Sequence, residues 1–425
     1  MHPIDYWFRT SAIATSLLVV AFAAGCSRES AAPAASSAAT TPTLAPSIES
    51  RAPNAADFEP ALAGQTRAPA IATAFALEVT EVATNLDRAW AFEFLPDGRV
   101  LVTEKPGHLR IVSAEGEISD PVAGLPEVYA QSQGGLLDVA LDPHFVDNRT
   151  IYWSYAEPRE GGNGTALAKG VLVEEGGKAR LDQVNVIFRQ MPTFESKQHF
   201  GSRIVFAPDG ALFLTLGDRS VPEARVLAQD LTTHFGKVVR INPDGSVPAD
   251  NPFASRSDAK PEVWSYGHRN VQGATLDAQG RLWTIEHGPR GGDELNLPQA
   301  GLNYGWPVIT YGIEYSGPKI GEGLTAKDGL EQPVYYWDPV IAPSGMTFYD
   351  GDLFPEWNGN LFVASLLDMK LVRLQLENDK VIGEEWLLQD RKQRVRDVKQ
   401  GPDGALYVLT EAGDGALLRI GRRTR

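Results

Sequence analysis

Five polar, glycine-rich segments of this sequence combine side chains that could bind a ligand or move a proton. In chain order they carry Gln133; His199; Arg269 with Asn270; Gly288, Pro289, Asp293, Glu294 and Tyr304; and Arg394 with Arg396. Arginines from separate segments suit a polycarboxylate or a phosphate, because the guanidinium fork matches these anions with paired hydrogen bonds. His199 is a candidate general base, since the ordinary pKa of histidine lies nearest neutrality.

The stretch "GPRGGDE" (residues 288–294) places backbone carbonyl groups next to two carboxylates. An all-oxygen set of this kind suits calcium. The seven histidines and the single cysteine form no cluster with zinc spacing, and no G-x-G-x-x-G motif opens a helix in a β-α-β unit. The sequence therefore indicates neither a zinc site nor a nicotinamide or flavin site of that type.

Each of these signals also has a purely structural interpretation. A single histidine in a β protein is commonly a hydrogen-bonded structural residue, Arg394 and Arg396 could form surface ion pairs, and "GGDE" could be a tight turn with solvated acids. Taken one at a time, the structural interpretation is the stronger one. The functional interpretation gains weight because all five segments fall at the junctions of one repeated pattern.

Strand–turn–strand hairpins recur along the chain and must position these segments. Six copies begin at Trp90, Gly135, Arg203, Gly273, Gly345 and Asp397. Several copies turn at Asp-Gly or Asn-Gly, which tolerate the positive φ angles of tight turns. A unit of roughly fifty residues holds four antiparallel strands, which predicts an all-β, six-bladed β-propeller; a β-helix needs shorter repeats, and a sandwich would not repeat in this way. Loops between blades meet at one mouth of the central channel, where we expect the site.

The first 75 residues differ from the rest. Residues 1–26 combine a basic residue, a short apolar run and an Ala-Ala-Gly-Cys end, which predicts a bacterial secretory signal with a lipid on Cys26; cleavage without lipidation is the alternative. Residues 27–75 are rich in Ala, Ser, Pro and Thr and are predicted to be a disordered tether. Residues 76–425 are then the folded body, and the net charge of −15 argues against a nucleic-acid partner.

The motifs of the folded body resemble the soluble pyrroloquinoline-quinone (PQQ)-dependent sugar dehydrogenases of the glucose/sorbosone dehydrogenase family, most closely the aldose sugar dehydrogenase branch. The resemblance spans residues 80–421 and rests on "QGGLLDVALDPHF", "HFGSRIVFAPDG", "GHRNVQG", "EHGPRGGDELN", "NYGWP", "IAPSGMTFY" and "RVRDVKQGPDGALYVLT". It implies a six-bladed propeller that oxidises aldose sugars at the anomeric carbon to lactones, with hydride transfer to calcium-activated PQQ. Gln198, where the glucose-specific branch often has an acid, favours the broader aldose branch.

The resemblance also implies roles for individual residues. His199 would be the general base that takes the proton of the anomeric hydroxyl. The cofactor would be held by Gln133, Arg269, Asn270, Tyr315, Arg394 and Arg396, calcium by the carbonyl groups of Gly288 and Pro289, and a second, structural calcium by Glu294 and Tyr304. Trp337 would cover the quinone ring. Leu367 stands where the family usually has a lysine, and Lys370 is a nearby cation that could reach the site instead.

Two other functions remain open at this point. One is a calcium-dependent propeller lactonase or esterase in which His199 activates water. The other is a non-catalytic propeller that binds a sugar or a protein near a membrane, an alternative suggested by Leu367. The dehydrogenase would need an electron acceptor that the sequence does not identify, and the signal predicts a periplasmic or cell-envelope location.

Overall fold

The structure, a computed structural model, describes residues 45–423, and this region is built almost entirely of β-strands. In chain order the strands are β1 (Leu77–Leu86), β2 (Ala89–Phe94), β3 (Val100–Glu104), β4 (His108–Val112), β5 (Leu136–Leu141), β6 (Thr150–Arg159), β7 (Gly162–Glu175), β8 (Lys178–Arg189), β9 (Ile204–Phe206), β10 (Leu212–Thr215), β11 (Lys237–Ile241), β12 (Val263–Tyr266), β13 (Val271–Leu276), β14 (Leu282–Glu286), β15 (Asp293–Asn296), β16 (Tyr335–Trp337), β17 (Pro343–Phe348), β18 (Leu361–Ser365), β19 (Lys370–Glu377), β20 (Lys380–Leu387), β21 (Val395–Gln400), β22 (Leu406–Thr410) and β23 (Gly415–Arg422). The helical elements are α1 (Phe145–Asn148), α2 (Pro222–Arg225) and the 3-10 turns Val226–Gln229, Pro355–Trp357 and Gln389–Arg391. Neither α-helix of this region is long and apolar enough to cross a membrane.

The strands form six antiparallel sheets, which are the six blades of a β-propeller. Blade 1 is β2–β4, blade 2 is β5–β8, blade 3 is β9–β12, blade 4 is β13–β16, blade 5 is β17–β20, and blade 6 is β21–β23 with β1. The first strand of each blade contacts the first strand of the next, and β21 contacts β2, so these six strands close a ring around the central channel. The predicted six-bladed propeller is confirmed, and the blades begin where the hairpin repeats begin.

Two blades depart from a simple four-strand repeat. Blade 6 takes its outermost strand from the start of the propeller, since Leu77 pairs with Arg422 and Val79 with Ile420. This pairing closes the ring between its two chain ends. Blade 1 has three strands, and its outer edge is covered by an irregular segment in which the Ser119 and Val122 amides donate to β4 carbonyls at 2.9 and 2.8 Å. The edge backbone is therefore satisfied without a fourth strand.

A buried hydroxyl residue recurs in the second strand of every blade. These residues are Thr103, Ser154, Thr215, Thr284, Ser365 and Thr410. In the first three blades the hydroxyl oxygen accepts a hydrogen bond from a backbone amide in, or directly before, the innermost strand, at 2.9–3.0 Å. In five blades the register between the first and second strands also shifts by a bulge. A bulge turns side chains of the innermost strand towards the channel, and in blades 1 and 2, which have both features, the hydroxyl satisfies an amide at the bulge.

Aromatic and branched side chains fill the wedges between neighbouring blades. Trp153, Trp283 and Trp357 are fully buried there, among clusters of Leu, Val and Ile from the facing strands. Each such side chain stabilises the fold by about 1.5–3 kcal/mol relative to an exposed one. The described body contains no cysteine, so this packing supports the ring without disulfides.

Residues 45–75, which we call the strap, lie along blades 4 and 5. The amides of Asn54 and Ala55 donate to the Asp338 carboxylate at 2.8 and 2.9 Å, and the Gln65 carbonyl accepts from the Tyr336 amide at 2.8 Å. Further along, the Glu384 backbone both donates to and accepts from the strap, at 3.0 Å in each direction. The strap thus joins the outer strands of two blades.

The prediction of a disordered tether over residues 27–75 is wrong for residues 45–75. The segment has few large apolar side chains, but Phe75 stacks on Phe354 and packs against Trp357, and Ala55 and Ala68 are buried. Its backbone groups also pair with strand edges and a carboxylate. Hydrogen bonds to a preformed surface and this aromatic contact hold the segment without a core of its own. Residues 27–44, the predicted signal over residues 1–26 and the lipid site at Cys26 lie outside the described residues.

Candidate active site

His199 lies between the last strand of blade 2 and the first strand of blade 3, and its ring contacts Asp218. The Nδ1 atom of His199 lies 2.6 Å from Oδ1 of Asp218, and the imidazole is only 4% exposed. An ionised carboxylate can only accept hydrogen bonds, so Nδ1 carries the proton and donates it to Asp218. The Nε2 atom, which has no partner among the described residues, keeps its lone pair and can accept a proton.

Hydrogen bonds from other residues hold the Asp218 carboxylate in place. The indole Nε1 of Trp306 donates to its Oδ2 at 2.7 Å, and the Ser220 amide donates to its Oδ1 at 2.7 Å. Burial raises the pKa of Asp218, but its histidine partner and these donors outweigh burial, so the pKa lies below its ordinary value. The pKa of His199 is lowered, mainly by burial and then by the nearby charge of Arg269. The imidazole is therefore neutral near pH 7, the form that a general base requires.

Gln133 and Asn270 hold the loop that presents His199. The Gln133 side-chain oxygen accepts a hydrogen bond from the His199 amide at 2.8 Å, and the Asn270 side-chain oxygen accepts one from the Gly201 amide at 3.2 Å. Asn270 directly precedes the first strand of blade 4, and Gln133 precedes the first strand of blade 2. Both polar residues predicted beside the cofactor thus meet at the base, from opposite sides.

A cavity of about 240 Å³ lies next to this pair, at the mouth of the channel. Its lining is Trp90, Lys105, Ser132, Gln133, Leu137, Phe200, Gly201, Gln272, His287, Ala342, Leu366, Arg394, Arg396 and Glu411. Aromatic rings therefore face three cations and one carboxylate. The residues directly after His199 form part of the wall, so the base sits at the edge of the cavity.

Glu411 organises the cations of the cavity. Its Oε2 accepts from Arg396 at 2.7 Å and from Arg394 at 3.0 Å, and its Oε1 lies 3.5 Å from the Lys105 ammonium. Burial alone would raise the pKa of Glu411, but Arg396, Lys105 and Arg394 lower it to about 2. With one carboxylate among three cations, the cavity keeps a positive charge that suits an anionic ligand.

Arg269 contacts the carbonyl group of Gly288, one of the two expected calcium ligands, but not that of Pro289. Its Nη1 donates to the carbonyl oxygens of His287 at 2.9 Å and Gly288 at 2.8 Å, and its Nη2 donates to the Tyr315 hydroxyl at 3.3 Å. Tyr315 is 70% exposed at the surface of this loop cluster. The carbonyl groups of His287 and Gly288 thus both point at the Arg269 guanidinium.

Asp293 fixes the loop that contains Gly288 and Pro289. Its carboxylate accepts from the amides of Gly288, Ile341 and Ala342 at 2.7, 2.7 and 2.8 Å. Burial raises the pKa of Asp293 to about 7, against these three amides, which favour the ionised form. Asp293 therefore joins the loop of Gly288 to Ala342 in the cavity wall.

Glu294 and Tyr304, the predicted second calcium site, are linked through other residues. Glu294 pairs across the sheet with Glu286, and burial together with that carboxylate raises the pKa of Glu294. Tyr304 stacks on His268, whose Nδ1 lies 2.9 Å from Glu286, while the Tyr304 hydroxyl donates to the Leu297 carbonyl at 2.7 Å. Within residues 45–423 no group of three or more His, Cys, Asp or Glu side chains could hold a metal.

Comparison with known proteins places this geometry in a family. The glucose/sorbosone dehydrogenase family model matches residues 86–419. The chain is 46% identical over 343 residues to the aldose sugar dehydrogenase YliI of Escherichia coli. This alignment covers 80% of this chain and 91% of the E. coli protein. The chain belongs to the glucose/sorbosone dehydrogenase family. The apo structure of the soluble E. coli aldose sugar dehydrogenase aligns with a TM-score of 0.78 at 44% identity, over 82% of this chain and all of that one.

A second solved member of the family carries the cofactor. The PQQ-bound form of aldose sugar dehydrogenase from Streptomyces coelicolor aligns with a TM-score of 0.66 at 27% identity, over 83% of this chain and all of that one. Against this family background, the structure brings together His199, Gln133, Arg269, Asn270, Tyr315, Arg394 and Arg396, with the loop of Gly288 and Pro289 beside them.

Three residues near the family motifs do not lie in the cavity wall. Trp337 is buried in the core between blades 4 and 5, edge-on to Tyr335, so the expectation that it covers a ring at the cavity is wrong. Leu367 is 49% exposed. Lys370 points away, because its ammonium lies 3.1 Å from Asp368 and 3.2 Å from the centre of the Trp386 ring.

Asp218 and Glu411, two acids of the candidate site, were not predicted from the sequence. Each follows the buried hydroxyl residue of a second strand, in "TLGD" and "TE", and Glu104 and Glu286 hold similar places in "TE" and "TIE". An acid that recurs at the mouth end of the second strands is a signal that the repeat contained. Its function depends on which basic residue lies at the start of the adjacent first strand, and only the tertiary structure shows that contact.

Proposed function

We propose that this protein is a quinoprotein sugar dehydrogenase that oxidises aldoses at the anomeric carbon to lactones. The observation that carries the proposal is the neutral His199, oriented by Asp218, at the edge of a cationic cavity in a glucose/sorbosone dehydrogenase propeller. Relatives that are aldose sugar dehydrogenases, one of them solved with PQQ bound, support the same reaction.

The residues of the cavity fit a planar, polyanionic quinone. Arg394, Arg396 and Lys105 supply positive charge, while Trp90 and Phe200 supply flat apolar walls. The buried Nε atoms of Arg269 and Arg396 have no acceptor among the described residues. Such unsatisfied donors are costly in a folded protein, and carboxylate oxygens of a ligand would satisfy them. Gln133, Asn270 and Tyr315 complete the proposed set of contacts.

Calcium in this proposal is held by the carbonyl groups of Gly288 and Pro289. Backbone carbonyl oxygens are the hard ligands that calcium prefers, and Asp293 fixes the loop by accepting from the Gly288 amide. Glu294 is the proposed side-chain ligand of a second, structural calcium with Tyr304. Asn296 supports an ion there, because its buried Oδ1 has no partner in the described region. A cation beside Glu294 and Glu286 would also relieve the repulsion between their carboxylates.

The protein's own part in the reaction is to bind the sugar and move one proton. His199 takes the proton of the anomeric hydroxyl at Nε2, and Asp218 stabilises the imidazolium through Nδ1. Trp306 and the Ser220 amide hold Asp218, so the ring stays in one orientation. When bound, PQQ supplies the hydride acceptor, and cationic side chains favour the negative charge that this acceptor gains.

Reconstitution of the purified apo-protein tests the function. Dye reduction should require PQQ, calcium and an aldose together, and one lactone should form for each two electrons delivered to the dye. Sugar-independent lactone hydrolysis without quinone would instead indicate the calcium-dependent lactonase or esterase. Sugar binding with no turnover under any cofactor condition would indicate the non-catalytic propeller.

A serine–histidine–glutamate arrangement between blades 3 and 4 does not favour the hydrolase. Ser265 Oγ lies 2.9 Å from His268 Nε2, and His268 Nδ1 lies 2.9 Å from Glu286. Both Ser265 and His268 are completely buried, so no ester or lactone reaches the hydroxyl. The arrangement stabilises the strands that carry Arg269 and the proposed second calcium site.

The proposed location is the periplasm or cell envelope, with the propeller held at a membrane by a lipid on Cys26. The signal-like residues 1–26 support secretion, and the Ala-Ala-Gly-Cys sequence supports lipidation. A secreted site is also where an exogenous sugar is available, and the electron acceptor would be reached from the open mouth of the channel.

A further inference from the structure

Arg219 is a buried cation that the proposed reaction does not use. It follows Asp218 directly and is completely buried. Within residues 45–423 no carboxylate forms an ion pair with its guanidinium, although burying such a charge without an acid is costly. Its pKa falls to about 9 because of burial, so the group is still charged near pH 7. A buried arginine without an acid partner is therefore expected to have a specific role.

The guanidinium of Arg219 ties together the loop that carries His199. Nη1 donates to the His199 carbonyl at 3.2 Å, and Nη2 donates to the Ser196 carbonyl at 2.9 Å and to Asn163 Oδ1 at 2.5 Å. The face of the guanidinium lies 3.8 Å from the centre of the Phe200 ring. Arg219 therefore replaces an acid partner with two carbonyl groups, an amide and an aromatic face.

The loop of His199 also binds the backbone of Arg219. The Ser196 hydroxyl donates to the Arg219 carbonyl at 2.7 Å, which closes a ring of contacts between the two loops. At Gly217 a Cβ atom would lie 2.2 Å from the His199 carbonyl oxygen, so the loops touch through backbone alone. A side chain at position 217 would push the base loop away.

The loop so held has an unfavourable backbone conformation. His199 has a φ of 51°, and Arg219 and Ser220 have φ values of 69° and 70°. Non-glycine residues adopt this left-handed region at a cost, and they stay there only where surrounding contacts hold them. Released from Arg219, the loop would relax and carry the imidazole off Asp218.

We propose that Arg219 is a positioning residue for His199: its guanidinium holds the strained base loop so that Nδ1 stays on Asp218. The proposal rests on the proposed role of His199 as the base. Charged groups face the imidazole from three sides, namely Asp218, Arg269 and Arg219 itself. Removing the Arg219 charge leaves one cation instead of two beside the ring, so the pKa of His199 should rise as well.

Three variants test the proposal: Arg219→Gln, Arg219→Lys and Arg180→Gln. Lysine keeps the charge but loses the fork and the flat face. Arg180 is an exposed arginine on the outer strand of blade 2, and its ion pairs with Glu175 and Asp182 lie at the surface, so it serves as the matched control. Reconstituted enzymes are compared for kcat, KM, PQQ dissociation constant and thermal unfolding.

Arg219→Gln should lower kcat about 10- to 100-fold, the effect of a small misplacement of a catalytic group. KM and the PQQ dissociation constant should stay near the parent values, because the cavity cations are untouched. The acid limb of the kcat/KM profile should move to higher pH, and Arg219→Lys should recover part of kcat. A folded Arg219→Gln enzyme with parental kcat and pH profile would overturn the proposal, as would a loss confined to PQQ affinity.

A second measurement does not depend on turnover. In apo-protein labelled with ¹⁵N-histidine, the His199 signals are those lost in His199→Gln, and the ring shifts report which nitrogen carries the proton. The parent should show one tautomer, protonated at Nδ1, and Arg219→Gln should show mixed tautomers and a raised pKa. Unchanged ring chemical shifts in Arg219→Gln would overturn the proposal, even if the parent oxidises sugar. If the parent does not oxidise sugar, the proposed function fails, but this measurement still tests whether Arg219 positions His199. If Arg219→Gln does not fold, Asn163→Ala, which removes one anchor of the guanidinium, replaces it in both measurements with the same criteria.

Discussion

The Nδ1 atom of His199 lies 2.6 Å from Oδ1 of Asp218, and Trp306 donates to the second oxygen of the same carboxylate at 2.7 Å. The two contacts fix both the orientation and the tautomer of the histidine. Ser220 adds a backbone amide, so none of the three groups can turn without breaking a buried hydrogen bond. A histidine held in this way is ready to accept a proton at Nε2.

His199→Ala should lower kcat by roughly 10²–10⁴-fold, the usual contribution of a positioned general base. Binding of PQQ and calcium should persist, because arginines and carbonyl groups hold them, so the loss should appear mostly in kcat. Steady-state dye reduction with saturating cofactor measures it, and a higher pH should partly restore the rate.

Asp218→Asn is the companion variant, because an amide at this position can donate to Nδ1 and favour the wrong tautomer. It should lose activity while KM changes little. Parental turnover in His199→Ala would make the histidine structural, and the base would have to be another group at the same mouth.

Glu411→Gln should destabilise the protein in a pH-dependent way. The folded pKa of Glu411 is about 2 against an ordinary value of 4.5, so the carboxylate stabilises the fold fully above about pH 4.5. This contribution, about 3 kcal/mol near pH 7, is lost as the pH falls from 4.5 towards 2. Urea unfolding at several pH values measures the difference in the free energy of unfolding between parent and variant. This difference should become smaller as the pH falls from 4.5 towards 2.

Glu115→Gln is the control for Glu411→Gln, since Glu115 is exposed and contacts only Ser113. It should leave the free energy of unfolding almost unchanged at every pH. The difference in the free energy of unfolding between Glu411→Gln and the parent could instead be constant from neutral to acid pH. That result would show that Glu411 does not stabilise the cation cluster by its charge.

Calcium removal should abolish sugar oxidation and lower the unfolding temperature, and added calcium should restore both. A ligand that binds only the folded state stabilises it by mass action. Activity and differential scanning calorimetry before and after chelation measure the two effects, with magnesium as the control ion. Unchanged melting and activity after chelation would remove both calcium sites from the proposal.

Asp338→Asn should detach part of the strap. The carboxylate accepts from the amides of Asn54 and Ala55, and the asparagine keeps only one acceptor oxygen. We expect a loss of about 1–2 kcal/mol in the free energy of unfolding. Limited proteolysis should cut the variant first within residues 45–75. The control is Asp258→Asn, whose exposed ion pair with Arg256 lies outside the strap contacts; equal protease resistance of both variants would contradict the prediction.

Cys26→Ser should release the protein from membranes. Lipidation needs the thiol of this cysteine, which is the only one in the chain. After cell fractionation, the parent should be found with membranes and the variant in the soluble envelope fraction. Equal solubility of the two forms would show that no lipid is attached, and secretion without an anchor would remain.

Much of this protein can be predicted from its sequence. The hairpin repeat specifies six blades, because turn dipeptides and alternating apolar residues act over short distances. The same local reasoning located His199, Gln133 and Arg394 in loops at one mouth, while Arg396 lies at the start of β21 beside them. Composition alone failed for residues 45–75, because the partners of the strap lie in blades 4 and 5, far along the chain.

Tertiary structure decided which side chains became partners. Asp218 meets both His199 and the distant Trp306, Glu411 collects two arginines and a lysine, and Lys370 turns to Asp368 and Trp386 instead of the cavity. Residue type tells what each group can do, such as accept a proton or bind an anion. Which group it does this with depends on distances between loops of different blades, and these distances are fixed only when the ring of six sheets closes.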